Sequence, residues 1–234
     1  MLGNSFKLAN VALLHQILPE DVFAVEQIGI LSGALSPEEE LALGSVVEKR
    51  RSEFAAGRAC GREALAYLNI RGKSILPGQS REPLWPEDIV GSITHCNGYC
   101  AAAIASRDRF MSIGIDAEPN EKLPEEVLGS IALWDEIILL QQLPAGDVHW
   151  DKLLFSIKES VYKAWFPIAN RWLDFKDARI LINPQERTFK VELLARITDT
   201  PFNNTVIDGR YLMQDDLILS CICIPTNGRA TEKA

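Results

Sequence analysis

Between Trp150 and Phe166 the chain reads as one strongly helical stretch, closed by Pro167. Phe155, Val161, Trp165 and Phe166 give that helix an apolar face too large for an open surface. It has to be covered, so its polar stripe lies against other structure rather than in water. Any fold for this chain is therefore built around it. The stripe includes Lys158, Glu159 and Lys163, with Glu159 and Lys163 neighbours at i, i+4 in the favourable order. A plain surface pair has the same spacing and is worth only about 0.2–0.5 kcal/mol.

Other elements follow from punctuation and periodicity. Ser36-Pro37-Glu38-Glu39 is a capping box with proline at the first helical position. A helix runs from there to Leu68, with a break near Gly44. A Gly/Pro/Ser-rich loop, Gly72 to Pro86, carries Arg81 and Trp85. Val90–His95 and Tyr99–Ala105 read as strands joined by the hairpin dipeptide Asn97-Gly98. Met111–Glu118 is a third strand and Pro124–Leu143 is helical. The tail holds three strands, Ala178–Ile182, Thr188–Leu194 and Leu217–Ile224, with turns at Asn183-Pro184 and Asp208-Gly209. The order predicts an α+β protein in two halves, residues 1–108 and 109–234, divided near Ser106–Arg109.

The strand Ser112-Ile113-Gly114-Ile115-Asp116-Ala117-Glu118 has the sharpest chemical pattern. Alternation sends Ile113 and Ile115 to a core and sets Asp116 and Glu118 together on the other face. Adjacent carboxylates repel unless a cation lies between them. Gly114, on the same face, leaves room for a ligand, and hard oxygen donors of this kind suit Mg²⁺. Two exposed acids at a solvated strand end are the plainer alternative. In Gly91-Ser92-Ile93-Thr94-His95-Cys96, a histidine at a strand end beside a tight turn can donate to a phosphate; a satisfied, half-buried histidine reads the same way. On the first helix Arg51, Arg58 and Arg62 fall within about 20° of one line, with Arg50 about 80° from Arg58. Arginine suits phosphate because its fork bonds two oxygens at once. The alternative is a solvated basic face.

Net charge is −8, which gives no electrostatic reason to seek nucleic acid or an anionic membrane. Yet residues 49–73 hold seven basic and only two acidic residues, which points to a small anionic ligand. The apolar stretch from Val11 to Leu18 is too short to span a bilayer and lacks the features of a secretory leader. Five cysteines and three histidines show no zinc spacing, so reduced cytoplasmic thiols are expected.

Taken in order, five segments resemble the 4'-phosphopantetheinyl transferases of the surfactin (Sfp) and enterobactin-synthase type. They are Lys49-Arg50-Arg51-Ser52-Glu53-Phe54-Ala55-Ala56-Gly57-Arg58, Pro83-Leu84-Trp85-Pro86, Gly91–Cys96, Gly114–Glu118 and Lys158-Glu159-Ser160-Val161-Tyr162-Lys163-Ala164-Trp165-Phe166-Pro167. The Trp-Pro loop and Thr-His-Cys strand look closer to the enterobactin branch. The resemblance implies a pseudo-twofold α+β fold with coenzyme A in the cleft between two similar halves. It implies Mg²⁺-dependent transfer of phosphopantetheine to a serine of an acyl or peptidyl carrier protein, in polyketide, nonribosomal-peptide or siderophore synthesis.

By similarity, Asp116, Glu118 and Glu159 hold the metal, and Glu159 and Lys163 carry the chemistry. Arg50, Arg58, Arg81, Thr94, His95, Lys158 and Lys163 contact the coenzyme, with His95 and Thr94 at its 3'-phosphate. Some relatives have a lysine where Pro77 stands, so one phosphate contact is either missing or supplied by Lys73 or Arg81. The implied protein is a cytoplasmic monomer with no nucleic-acid or membrane partner. The competing classes are a Mg²⁺-dependent phosphodiesterase or nuclease, which the modest basic area disfavours, and a coenzyme A-binding protein without catalysis, which has no need of three carboxylates.

Overall fold

The computed structural model of the chain describes residues 12–146, 148–194, 207–214 and 216–226. Val11, where the short apolar stretch begins, lies outside them. Leu14, further along that stretch, is buried in a 3-10 turn at Leu14–Gln16.

The first half opens with β1 (Phe23–Ile28), α1 (Pro37–Leu43) and α2 (Glu48–Tyr67). Two short strands, β2 (Leu76–Pro77) and β3 (Pro83–Leu84), pair across the Gly/Pro loop, and β4 (Ile89–Cys96) and β5 (Tyr99–Ser106) form the hairpin. The second half contains β6 (Phe110–Pro119), α3 (Glu125–Ile131), α4 (Trp134–Gln142), α5 (Trp150–Ala169), β7 (Ala178–Asn183), β8 (Thr188–Leu193), β9 (Ile207–Gln214) and β10 (Leu217–Pro225). In the first half α2 packs on an antiparallel sheet ordered β1-β5-β4. In the second, α5 packs on one ordered β6-β10-β9-β8-β7. Each half thus sets a 20-residue helix on an antiparallel sheet, an α+β arrangement.

The Ser36 capping box forms as expected, its Oγ accepting from the Glu39 N–H while Glu39 accepts from the Ser36 N–H. The break at Gly44 is complete and separates α1 from α2, because the chain there has φ +65°. A second break at Ala132–Leu133 divides the helix expected over 124–143. Pro167 does not close α5. It sits inside the last turn, and the helix ends at Asn170 in the left-handed region, whose N–H donates to the Phe166 carbonyl.

A further expectation fails. Asp208-Gly209 is not a turn but lies within β9, opposite Phe189 and Ile222. A Cβ on Gly209 would lie 2.1 Å from the Phe189 ring, so the glycine marks a close cross-strand approach. β1 carries no turn signal or clean alternation and is recruited by antiparallel pairing, along its whole length, with Tyr99–Ile104 of β5.

Ile113, Ile115 and Ala117 enter the core with Val90, Ala101 and Ala103. On the opposite face of β6, Gly114 makes room for α5 and not for a ligand. A Cβ there would lie 1.9 Å from the Ser160 carbonyl oxygen and 2.7 Å from the Ala164 nitrogen. This contact seats α5 on the strand that carries Asp116 and Glu118. Because both close atoms are backbone, Gly114→Ala should destabilise the fold by at least about 2 kcal/mol. Urea unfolding measures this, and a change under about 0.5 kcal/mol would show that α5 is not seated by the glycine.

Candidate active site

The two sheets meet where β4 runs beside β6, and side-chain hydroxyls replace a backbone ladder there. Ser92 Oγ accepts from the Ile115 N–H at 3.2 Å and Thr94 Oγ1 from the Ala117 N–H at 3.0 Å. Buried backbone N–H groups need partners, and serine and threonine on alternate residues of β4 supply them. Thr94 also donates to Asp116 Oδ1 at 3.3 Å and lies 3.4 Å from Lys163 Nζ. Its hydroxyl is therefore fully engaged inside the protein. The structure makes Thr94 an organiser of the acidic strand rather than an open phosphate contact.

Asp116 is 3 % exposed and its Oδ1 receives Lys163 Nζ at 2.7 Å. Its Oδ2 is buried and accepts no hydrogen bond from any described residue. Glu118 Oε2 lies 3.5 Å from Lys152 Nζ, which is also 3.7 Å from Glu121. Burial, reinforced by the Asp116 charge, pushes the Glu118 carboxyl up to about 7. Glu159 is half-buried and likewise raised, mainly by burial, with Lys163 opposing the shift. It accepts no hydrogen bond from any described residue. Lys163 bends to Asp116 rather than to Glu159 one turn away, because Asp116 is the more deeply buried charge.

Asp116 and Glu118 thus share one face, with Glu159 in electrostatic reach. Among the described residues, however, no group of three such donors converges as a ready-made metal centre. The donor set nevertheless fits a hard divalent cation. It is all carboxylate, one oxygen is buried without a partner, and one carboxyl resists ionising beside its neighbour.

On the facing side, His95 Nδ1 is 3.9 Å from Glu53 Oε2 of α2. Burial lowers its pKa, opposed by Glu53. Arg58 is 6 % exposed, stacks over the Phe54 ring at 4.1 Å and donates from Nε to the Ile75 carbonyl at 2.8 Å. Burial lowers its pKa to about 10. Its terminal nitrogens meet no acceptor among the described residues. Arg50 is half-buried close enough to act on both Arg58 and His95. The rest of the arginine line is structural: Arg51 pairs with Glu40, and Arg62 with Glu39 and the Ala34 carbonyl, both clasping α1. Arg81 is exposed between β2 and β3, at φ +71°.

Lys158 corrects a sequence-based expectation. Its side chain is 1 % exposed, and Nζ bonds Glu136 at 2.9 Å and the carbonyls of Phe175 and Ala178 at 2.7 and 2.8 Å. Glu136 is completed by the N–H groups of Leu133 and Ile180. All three ammonium donors are taken up inside the protein, so Lys158 ties α5 to α4 and β7 and has no donor left for a coenzyme phosphate. The helical pattern placed it beside Glu159 but not which side of Glu159 it faces.

Sequence reasoning also missed Lys152 and a cavity. Lys152 is eleven residues before Lys163, about 20° away around the helix, a periodicity that would have found it. The cavity, of about 190 Å³, has Lys158, Glu159, Tyr162, Trp172, Leu173 and Phe175 among its lining. Tyr162 and Trp172 meet at its rim with ring centroids 5.0 Å apart and planes tilted by 56°. No local pattern brings Trp172 onto the helix.

Residues 38–105 match the 4'-phosphopantetheinyl transferase N-terminal domain, and residues 112–220 match the 4'-phosphopantetheinyl transferase superfamily. The chain belongs to that superfamily. It is 40% identical over 220 residues to 4'-phosphopantetheinyl transferase Npt of Nocardia iowensis, covering 90% of this chain and 99% of that one. It is 39% identical over 195 residues to PptT of Mycobacterium tuberculosis, covering 80% and 85%. Enterobactin synthase component D of Salmonella typhi is 38% identical over 125 residues, covering 53% of this chain and 51% of its own. The resemblance to the enterobactin branch therefore spans about half of each chain, whereas the Npt and PptT likenesses span most of both. The chain is a transferase of phosphopantetheine to carrier proteins. Among the described residues no helix is long and apolar enough to cross a membrane.

Lys158 and Glu136 yield a test that separates stability from catalysis. Removing one partner strands a buried charge, so Lys158→Ala or Glu136→Ala should each cost about 3–5 kcal/mol. The double change Lys158→Met with Glu136→Leu removes both charges and should recover only part of that loss, because the Phe175 and Ala178 carbonyls and the Leu133 and Ile180 N–H groups then lose their partners. Chemical denaturation of the three variants measures it. A single variant within about 1 kcal/mol of the parent would remove the ion pair from the fold's support.

Proposed function

We propose that this chain transfers the 4'-phosphopantetheine arm of coenzyme A to a serine of an apo acyl or peptidyl carrier protein, with Mg²⁺ as the cation. The observation that carries this reading is the pairing of Asp116 and Glu118 on one face of β6. The buried Asp116 Oδ2 there lacks a partner, and α5 brings Lys163 and Glu159 to the same place. Asp116, Glu118 and Glu159 would hold the ion, which when bound neutralises pyrophosphate charge and polarises the bond to be broken.

Arg50, Arg58 and His95 gather on the facing side and receive coenzyme phosphates, with Arg81 as an exposed loop contact. The aromatic-rimmed cavity beside Glu159 suits the pantetheine arm, which is uncharged and partly apolar. The carrier serine oxygen attacks the β-phosphorus of coenzyme A. A P–O bond to serine forms as the bond to the adenosine 5'-phosphate oxygen breaks, and adenosine 3',5'-bisphosphate leaves. Glu159 is also the candidate base for the serine proton, directly or through water, a role its raised pKa supports and that competes with holding the ion. Lys163 offsets charge on the leaving phosphate. Residues 1–108 then form the phosphate-binding half and 109–234 the metal-binding half. Two halves in one chain complete the cleft and support a monomer, and five free cysteines support a cytoplasmic setting.

Intact mass measurement of an apo carrier protein incubated with the enzyme, coenzyme A and Mg²⁺ tests the whole reading. One added phosphopantetheine per carrier is expected, lost in Asp116→Ala; hydrolysis of coenzyme A without carrier modification would overturn it.

The role of Glu159 is decided by Glu159→Gln across a Mg²⁺ titration. As base, its loss should slow transfer by about 10²–10⁴-fold at all metal concentrations. Recovery of the rate at high Mg²⁺ would instead make it chiefly a ligand. His95→Ala should raise the coenzyme A requirement more than it lowers the maximal rate. With dephospho-coenzyme A, which lacks the 3'-phosphate, the substitution should matter little; equal loss on both substrates would remove His95 from that phosphate.

A further inference from the structure

Lys152 has no role in the chemistry above, yet it is the nearest cation to Glu118. Its side chain is 9 % exposed, and Nζ lies 3.5 Å from Glu118 and 3.7 Å from Glu121. Along α5 it falls on the same stripe as Glu159 and Lys163, within about 20° of each. The two carboxylates of β6 are therefore each matched by a lysine from one helix: Asp116 by Lys163 and Glu118 by Lys152. The two ammonium groups thus provide positive charge of the kind that two adjacent acids require.

The partners of Lys152 differ in one respect. Glu118 is largely enclosed, whereas the Glu121 side chain is 67 % exposed. An ammonium that gives up Glu118 still has a carboxylate within reach, so it need not be left buried without a partner, which would be costly.

We propose that Lys152 is the counter-ion a divalent cation must displace from Glu118, with Glu121 as the carboxylate that receives the displaced ammonium. The inference rests on the metal-binding reading of Asp116 and Glu118. Lys152 acts through those carboxylates and touches neither substrate nor the reacting bond, so it is a positioning residue that sets how tightly the site takes a cation. Like charges a few ångström apart in a partly buried site repel strongly enough to matter at this scale.

The test is Mn²⁺ binding to the whole protein, followed by the loss of free-ion electron paramagnetic resonance signal, with and without coenzyme A. Lys152→Met should bind Mn²⁺ about tenfold more tightly. Glu121→Gln, which leaves Lys152 with Glu118 alone, should bind it several-fold more weakly by the same repulsion. In the double variant the Glu121→Gln effect should vanish, since the residue would act only through Lys152. Lys152→Met binding Mn²⁺ equally or more weakly would overturn the proposal, as would an undiminished Glu121→Gln effect in the double variant. If Lys152→Met does not fold, Lys152→Gln replaces it in the single and double variants, and the same outcomes decide. Glu118→Gln separates the two failures. If it leaves Mn²⁺ binding intact, the metal reading itself is wrong; if it abolishes binding while Lys152→Met changes nothing, only the counter-ion role is wrong.

Discussion

The hydroxyl of Thr94 is the point on which the site depends. It accepts from a backbone N–H of β6, donates to Asp116 and lies beside Lys163. One small group therefore joins the first half's sheet, the second half's acidic strand and the second half's helix. Two sheets that met by an ordinary ladder would set only backbone against backbone. A side-chain hydroxyl instead ties the seam to the carboxylate, so the contact that holds the halves together also orients Asp116. Close packing at Gly114 supports the same strand from its other neighbour, since nothing but a hydrogen fits between β6 and α5.

The charges around this seam follow from burial. Asp116, Glu118 and Glu159 are held together in a partly desolvated region, where burial and the Asp116 charge push the Glu118 and Glu159 carboxyls up and the cluster demands cations. Lys163 and Lys152 meet part of that demand, and the unpartnered Asp116 Oδ2 marks what they leave unmet. The facing half is arranged in the opposite sense. Arg58 is immobilised by Phe54 and Ile75 with its terminal nitrogens uncommitted, and Arg50 and His95 lie near it. An acidic protein thereby presents a local basic wall opposite a local acidic one, the division a phosphate bridged by a cation requires.

Not every charge in a family-like motif serves the chemistry. Lys158 and Glu159 are adjacent in sequence, but one step around a helix turns a side chain by about 100°. Lys158 points into the interior and closes a network with Glu136 and two carbonyls, while Glu159 opens to the aromatic-rimmed cavity. Arg51 and Arg62 similarly hold α1 in place through Glu40 and Glu39. The arginine line seen in the sequence is thus mainly a clamp between helices.

Much of this protein was legible in its sequence because local rules act over a few residues. The capping box at Ser36, the break at Gly44, the Asn97-Gly98 hairpin and the common face of Asp116 and Glu118 each depend on spacing alone. So does the family, whose motifs recur in order. What the tertiary structure alone decided depends on residues far apart in the chain. Lys158 was assigned to a ligand until Glu136, Phe175 and Ala178 surrounded it. Thr94 passed as a phosphate contact until β6 came alongside, and Gly114 as ligand space until Ser160 and Ala164 filled it. Gly209 looked like a turn until the Phe189 ring lay over it, and β1 needed β5 to become a strand at all. A side chain's direction along its own helix or strand is set by backbone geometry, but what it meets there is set by long-range packing, and no local pattern carries that information.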